Sequence, residues 1–202
     1  MTSRKDIIRA KMEYLDIECT DEHSAPRFHH VIYKRSDCVF DKCIIGDSIT
    51  FGCARKNCIT YCFPGAKIEH LYTVPSLVKT MELKKVCIYL GTNNLLDPRN
   101  PWQHSDQPDQ VLQKYKLFIE KCLEVQFQVT ICPLFGIQNK KLVVNDFNKQ
   151  LISYAKGKQL GICSMRDVSY NRDIGDTNKN EMRDGIHPIP DRIMKIASVF
   201  TF

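Results

Sequence analysis

The sequence predicts an α/β fold with a mainly parallel sheet, and three observations carry that expectation. Five short β-rich runs recur along the chain, "CVFDKCIIG", "CITYCF", "KKVCIYLG", "FQVTICPLF" and "GICSMRDV", with helix-length segments near 67–81, 110–125 and 140–159. The central runs "VCIYLG" and "VTICPLF" are almost continuously apolar rather than alternating, as strands covered on both faces are. The segment at 140–159 sets Val143, Phe147, Leu151 and Tyr154 on one helical stripe and Lys141, Lys149 and Lys156 on the other side, giving one face for a sheet and one for water.

Taken in order, residues 1–36 read as an N-terminal extension and 37–202 as the main domain. Within the extension, "RKDIIRAKMEYL" puts Ile7, Ile8, Met12 and Leu15 at helical spacing, which predicts a short amphipathic helix that "TDEHSAPRFHH" then breaks. The regular alternation follows. It is interrupted once, by "LLDPRNPWQHSDQPDQ" at 95–110, which holds three prolines and the only tryptophan, Trp102. A long loop at the strand ends of an α/β protein commonly carries function, so Trp102 reads either as the loop's anchor or as a substrate contact.

Composition narrows the classes. At 202 residues, 43% hydrophobic and 26% charged, the chain has enough apolar content for one well-buried core. A net charge of +6 biases encounters toward anionic partners without making a dedicated nucleic-acid arm. No apolar run approaches the roughly 18 to 20 residues that span a bilayer, and the first residues lack an apolar signal core, so an intracellular location, cytoplasmic or nuclear, is expected. Reduced thiols are then expected for the ten cysteines. Cys53, Cys58, Cys62 and His70 are the one metal-like grouping, but the CxxC pairs of common zinc sites are missing, and neither a metal nor a cofactor is expected.

Sites in open parallel sheets form beyond the carboxyl ends of the strands. Ser48 follows "CIIGD", Gly65 follows "ITYCFP" and Asn93 follows "VCIYLGT", so all three meet that requirement. A serine hydroxyl needs a base to attack at neutral pH, usually a histidine held by a carboxylate. His187 and Asp184 stand three residues apart in "RDGIHPIPDR", close enough to come from one turn. Negative charge growing on a carbonyl oxygen needs fixed donors, and the Ser48 and Gly65 backbone N–H groups and the Asn93 amide could supply them.

These blocks resemble the SGNH hydrolases, or GDSL-type esterases: Gly46 to Thr50 first, then Gly65 in "FPGAKI", then "GTNN" from Gly91 to Asn94, and last Asp184 to His187. The likeness runs from about residue 40 to the end. Asn94 stands where many members carry aspartate, and Ile49 where the name-giving motif has leucine. The resemblance implies a three-layer α/β/α sandwich with a flavodoxin-like five-stranded sheet that cleaves esters without a metal. By it, Ser48 is the nucleophile, His187 the base, Asp184 its orienting partner, and Ser48, Gly65 and Asn93 the oxyanion hole. Asp47, Asn94 and Trp102 are the expected substrate contacts. The motif layout is also similar to the esterase domain in first-open-reading-frame proteins of some non-LTR retrotransposons, which implies nucleic-acid or membrane association. The expected activity is hydrolysis of a small acyl ester, acetyl above others, of a lipid or carbohydrate. The rival expectation is a binding module of the same fold for RNA, lipid or protein.

Overall fold

Ser3 starts the first helix by a reciprocal cap: its hydroxyl accepts from the Asp6 N–H at 3.2 Å while the Asp6 carboxylate accepts from the Ser3 N–H at 2.9 Å. The computed structural model describes residues 3–23, 29–34, 39–96, 106–135, 141–164, 186–187 and 189–202. Helix α1 (Arg4–Tyr14) buries Ile8 and Met12, whereas Ile7 is turned to solvent, so the expected stripe is narrower than its spacing suggests. Asp16 turns the chain with a positive φ into β1 (Ile17–Glu22), which pairs antiparallel with β2 (His29–Lys34).

The expected runs then supply β3 (Lys42–Gly46), β4 (Cys58–Cys62), β5 (Lys85–Tyr89), β6 (Gln128–Ile131) and β7 (Gly161–Ile162). All five are parallel, in the order β4-β3-β5-β6-β7. The sheet nevertheless has seven strands, because β2 pairs antiparallel with β4 and β1 completes the edge. The segment expected as an extension is therefore part of the sheet. Its strands escaped the sequence reading because β1, "IECTDE", grows steadily more exposed along its length, as an edge strand does, and β2 follows the polar break.

Helices α2 (Val74–Lys79), α3 (Thr92–Leu95), α4 (Pro108–Glu124), α5 (Lys141–Gly157) and α6 (Ile193–Ala197) flank the sheet. Right-handed crossovers put α2, α4 and α5 on one face, where the rings of Tyr115 and Phe147 lie 6.0 Å apart. The β3–β4 connection runs the other way across the sheet and so lies on the opposite face. There α1 and α6 meet it, Ile8 and Ile193 both closing on Gly52. The result is a three-layer α/β/α arrangement. Cys43, Ile44 and Ile45 of β3 and Val86, Cys87 and Ile88 of β5 are all fully buried, which explains why these runs do not alternate. Among the described residues no helix is long and apolar enough to cross a membrane.

Candidate active site

Strand β3 ends in a turn held from several sides. The Phe63 N–H donates to the Gly46 carbonyl at 2.8 Å and the Asp47 N–H to the Tyr89 carbonyl at 3.2 Å, tying the turn to both neighbouring strands. A 3₁₀ turn, Ser48–Thr50, begins at once, capped by Asp47, whose Oδ1 accepts from the Ile49 N–H at 3.1 Å. The Thr50 side chain folds back so closely that a Cβ on Gly46 would come within 2.2 Å of it, so only glycine fits there. Ser48 is left half-buried at the carboxyl edge of the sheet.

Ser48 Oγ lies 2.8 Å from His187 Nε2, within hydrogen-bond reach, although 139 positions separate the two in sequence. Ile186 packs against the core beside it. Asp184, the carboxylate expected to orient His187, lies outside the described residues, as does Trp102.

The two remaining expected donors sit on neighbouring segments, Gly65 in a turn and Asn93 at the start of α3. The Phe63–Pro64–Gly65–Ala66 turn closes with Ala66 N–H donating to the Phe63 carbonyl at 3.2 Å. Proline followed by glycine at φ +74° is the type II pattern, which leaves the Gly65 N–H outside the turn's own bond. Asn93, in the first turn of α3, donates through Nδ2 to the Ala66 carbonyl at 3.0 Å. That bond fixes the plane of its amide and leaves a second Nδ2 hydrogen for another acceptor.

Behind these donors lies a polar clamp. Asn94 accepts the Ile68 N–H at 3.0 Å and donates to Glu69 at 2.9 Å and Asp106 at 3.0 Å. Lys114, reaching from α4, donates to Glu69 at 2.8 Å and to the same Asp106 oxygen at 2.9 Å. Burial alone would raise the Glu69 and Asp106 carboxyls, but Lys114 and Asn94 outweigh it and hold both below their ordinary range. Burial likewise opposes the Lys114 charge, and the two carboxylates reverse its effect. Glu69, Asp106 and Lys114 had no signal in the sequence, since they meet only through tertiary structure.

Two expected substrate contacts are corrected. Asp47 and Asn94 are both fully buried, and their side chains serve backbone and clamp rather than open surface. Burial pushes the Asp47 carboxyl up to about 6, with the Ile49 N–H and then Thr92 offsetting part of the effect. Cys53, Cys58 and Cys62 are buried thiols that donate to backbone carbonyls, and His70 accepts the Lys67 N–H, so the four do not gather. Cys19, Asp21 and His30 do converge, but the Arg9 guanidinium already occupies both oxygens of Asp21.

No family model matches the chain, and no curated protein matches it in sequence. Solved structures do match in fold. A GDSL-like lipase from Bacteroides thetaiotaomicron is 14% identical over 78% of this chain and 84% of its own, with a TM-score of 0.62. A lipolytic protein of the G-D-S-L family from Veillonella parvula is 18% identical over 81% and 98%, also at 0.62. An acetyl xylan esterase is 17% identical over 78% and 96%, at 0.60. At these identities the likeness establishes the fold. It gives no support to the narrower retrotransposon likeness.

Proposed function

We propose that the protein is a carboxylic ester hydrolase that works through a covalent acyl-enzyme on Ser48. The observation that carries this reading is the 2.8 Å approach of Ser48 Oγ to His187 Nε2 at the carboxyl edge of the sheet. A serine in a polar turn has no need of a histidine drawn from the far end of the chain. In the proposed reaction Ser48 Oγ attacks the ester carbonyl carbon while His187 Nε2 takes its proton. The tetrahedral oxyanion is held by the Ser48 and Gly65 N–H groups and the free Nδ2 hydrogen of Asn93. Collapse breaks the bond to the alcohol oxygen, which leaves with the proton from His187. Water then attacks the acyl-enzyme by the same steps and regenerates Ser48. Asp184 is the proposed partner that orients His187.

Acetyl esters are the proposed first substrates, a choice supported by the fold shared with the acetyl xylan esterase. The test is labelling by a fluorophosphonate probe together with turnover of an aryl acetate. Ser48→Ala is expected to abolish labelling and to cut turnover by several orders of magnitude. Wild-type turnover retained in Ser48→Ala would sink the reading.

A further inference from the structure

The N-terminal strands do more than lengthen the sheet. With β4 and α2 they frame a cavity of about 690 Å³, a size typical of small-molecule sites. None of Ser48, Gly65, Asn93 or His187 lines it. One end is closed by His29 stacked on Phe63, with ring centroids 4.7 Å apart, so the cavity is a site apart from the candidate active site. Side chains two positions apart share a strand face, and the floor is therefore built in rows. Glu22 pairs with His29, and Thr20 with Val31, which pairs in turn with Tyr61. Leu77 and Val78 of α2 form the wall with Met81 just beyond, and Leu77 and Met81 stay half exposed along the lip.

Two features of the lining select a ligand. Among the described lining residues Glu22 is the only aspartate, glutamate, lysine or arginine, and its carboxylate stands 3.3 Å from His29 Nε2 at the closed end. An anionic head placed there would meet a like charge, and a cation an opposite one. The Glu22 side chain is half exposed, so an ammonium drawn to it keeps part of its water and escapes the full cost of desolvation. The rings of Tyr33, Phe40, Tyr61 and Phe63 add π-faces, which attract ammonium groups. From Phe63 to Ile59 the floor runs four residues of strand, about 13 Å, long enough for an extended alkyl chain. We propose that the cavity binds an organic cation, an amine whose ammonium sits against Glu22 and whose aliphatic body lies along Val31, Tyr61 and Val78. The carboxylate sets the charge of the ligand, and the apolar floor and wall supply its affinity. The site requires no chemistry at Ser48 and stands independently of the hydrolase reading.

The test titrates the whole chain by calorimetry with decylammonium and with decanoate, each kept below its micelle concentration. Decylammonium is expected to saturate one site per chain and to bind about tenfold or more tighter than decanoate. Glu22→Gln should lower that ratio about fivefold or more, and Glu22→Asp, which keeps the charge, should recover most of it. Leu77→Ser combined with Met81→Ser should weaken both probes about tenfold and leave their ratio unmoved, since the wall acts on the aliphatic body alone. Absence of saturable decylammonium binding, a preference for decanoate, or a ratio that Glu22→Gln leaves unchanged would overturn the proposal. So would a dimer in sedimentation that the wall substitutions dissociate and decylammonium does not, since a second copy would then be the cavity's occupant.

Discussion

With its carboxyl fully buried and raised from 3.8 to about 6, Asp47 carries a charge at neutral pH that the fold would shed if it could. The rise corresponds to roughly 3 kcal/mol, taken as an order of magnitude. Between the two values the folded state holds the proton more tightly than the unfolded chain, so stability falls as pH rises through that window and stays lower above it. Asp47→Asn keeps the Oδ1 acceptor for the Ile49 N–H and removes the charge. It is expected to raise the thermal midpoint at pH 7 by several degrees and to flatten stability between pH 4 and 6, both readable by calorimetry at a series of pH values. A lower midpoint at pH 7 would refute this account. At the residue scale the sequence was informative where one residue type does one job. Ser48, Gly65, Asn93 and His187, the residues of the proposed reaction, are legible because each stands at a strand end or in a turn that the sequence marks. Asp47 and Asn94 are harder to read because a polar side chain beside such a residue looks the same from the sequence whether it faces open surface or backbone.

The Lys114 clamp joins α4 to α3, which carries Asn93, and to the segment that follows Gly65, and its effect belongs to those elements rather than to any single bond. Without the ammonium, Glu69 and Asp106 would face each other around Asn94 as like charges, pulling the Ile68 segment away from α3. Lys114→Met is therefore expected to lower kcat about tenfold with little change in KM, and Lys114→Arg to recover most of the loss. An equal loss in both variants, or a loss in KM alone, would count against a positioning role. The pH dependence has the usual carboxylate sign. Both carboxyls are lowered, so the clamp's stabilising contribution is complete above their ordinary range and is lost as pH falls through the lowered values. No periodicity could have revealed this unit: its members come from separate elements, and Glu69, Asp106 and Lys114 each alone read as charged surface residues.

For the molecule as a whole, the sheet is wider than its parallel core. The central parallel strands β3, β4 and β5 were legible because burial on both faces writes continuous apolar runs, whereas β1 opens to solvent along its length and β2 begins with two buried histidines, so neither writes such a run. Their contribution, with that of α1, is large all the same: Ile8 and Met12 of α1, Ile17 of β1 and Ile32 of β2 are buried, and β2 covers the edge of β4. Removal of residues 1–36 is expected to leave an unpaired β4 edge beside an open apolar floor, and so a chain that aggregates. Light scattering and soluble yield would report it; a monomeric truncated protein with an unchanged thermal midpoint would show the strands to be dispensable. The 139 positions between Ser48 and His187 have a further consequence, for the order of events during synthesis. In the proposed reaction the serine is made 139 positions before its base, so the growing chain holds an unassisted hydroxyl until the segment that carries His187 has docked. Competence for that reaction would arrive only with the docking of this distant segment, and a chain made as far as Ser48 alone would have no base for it.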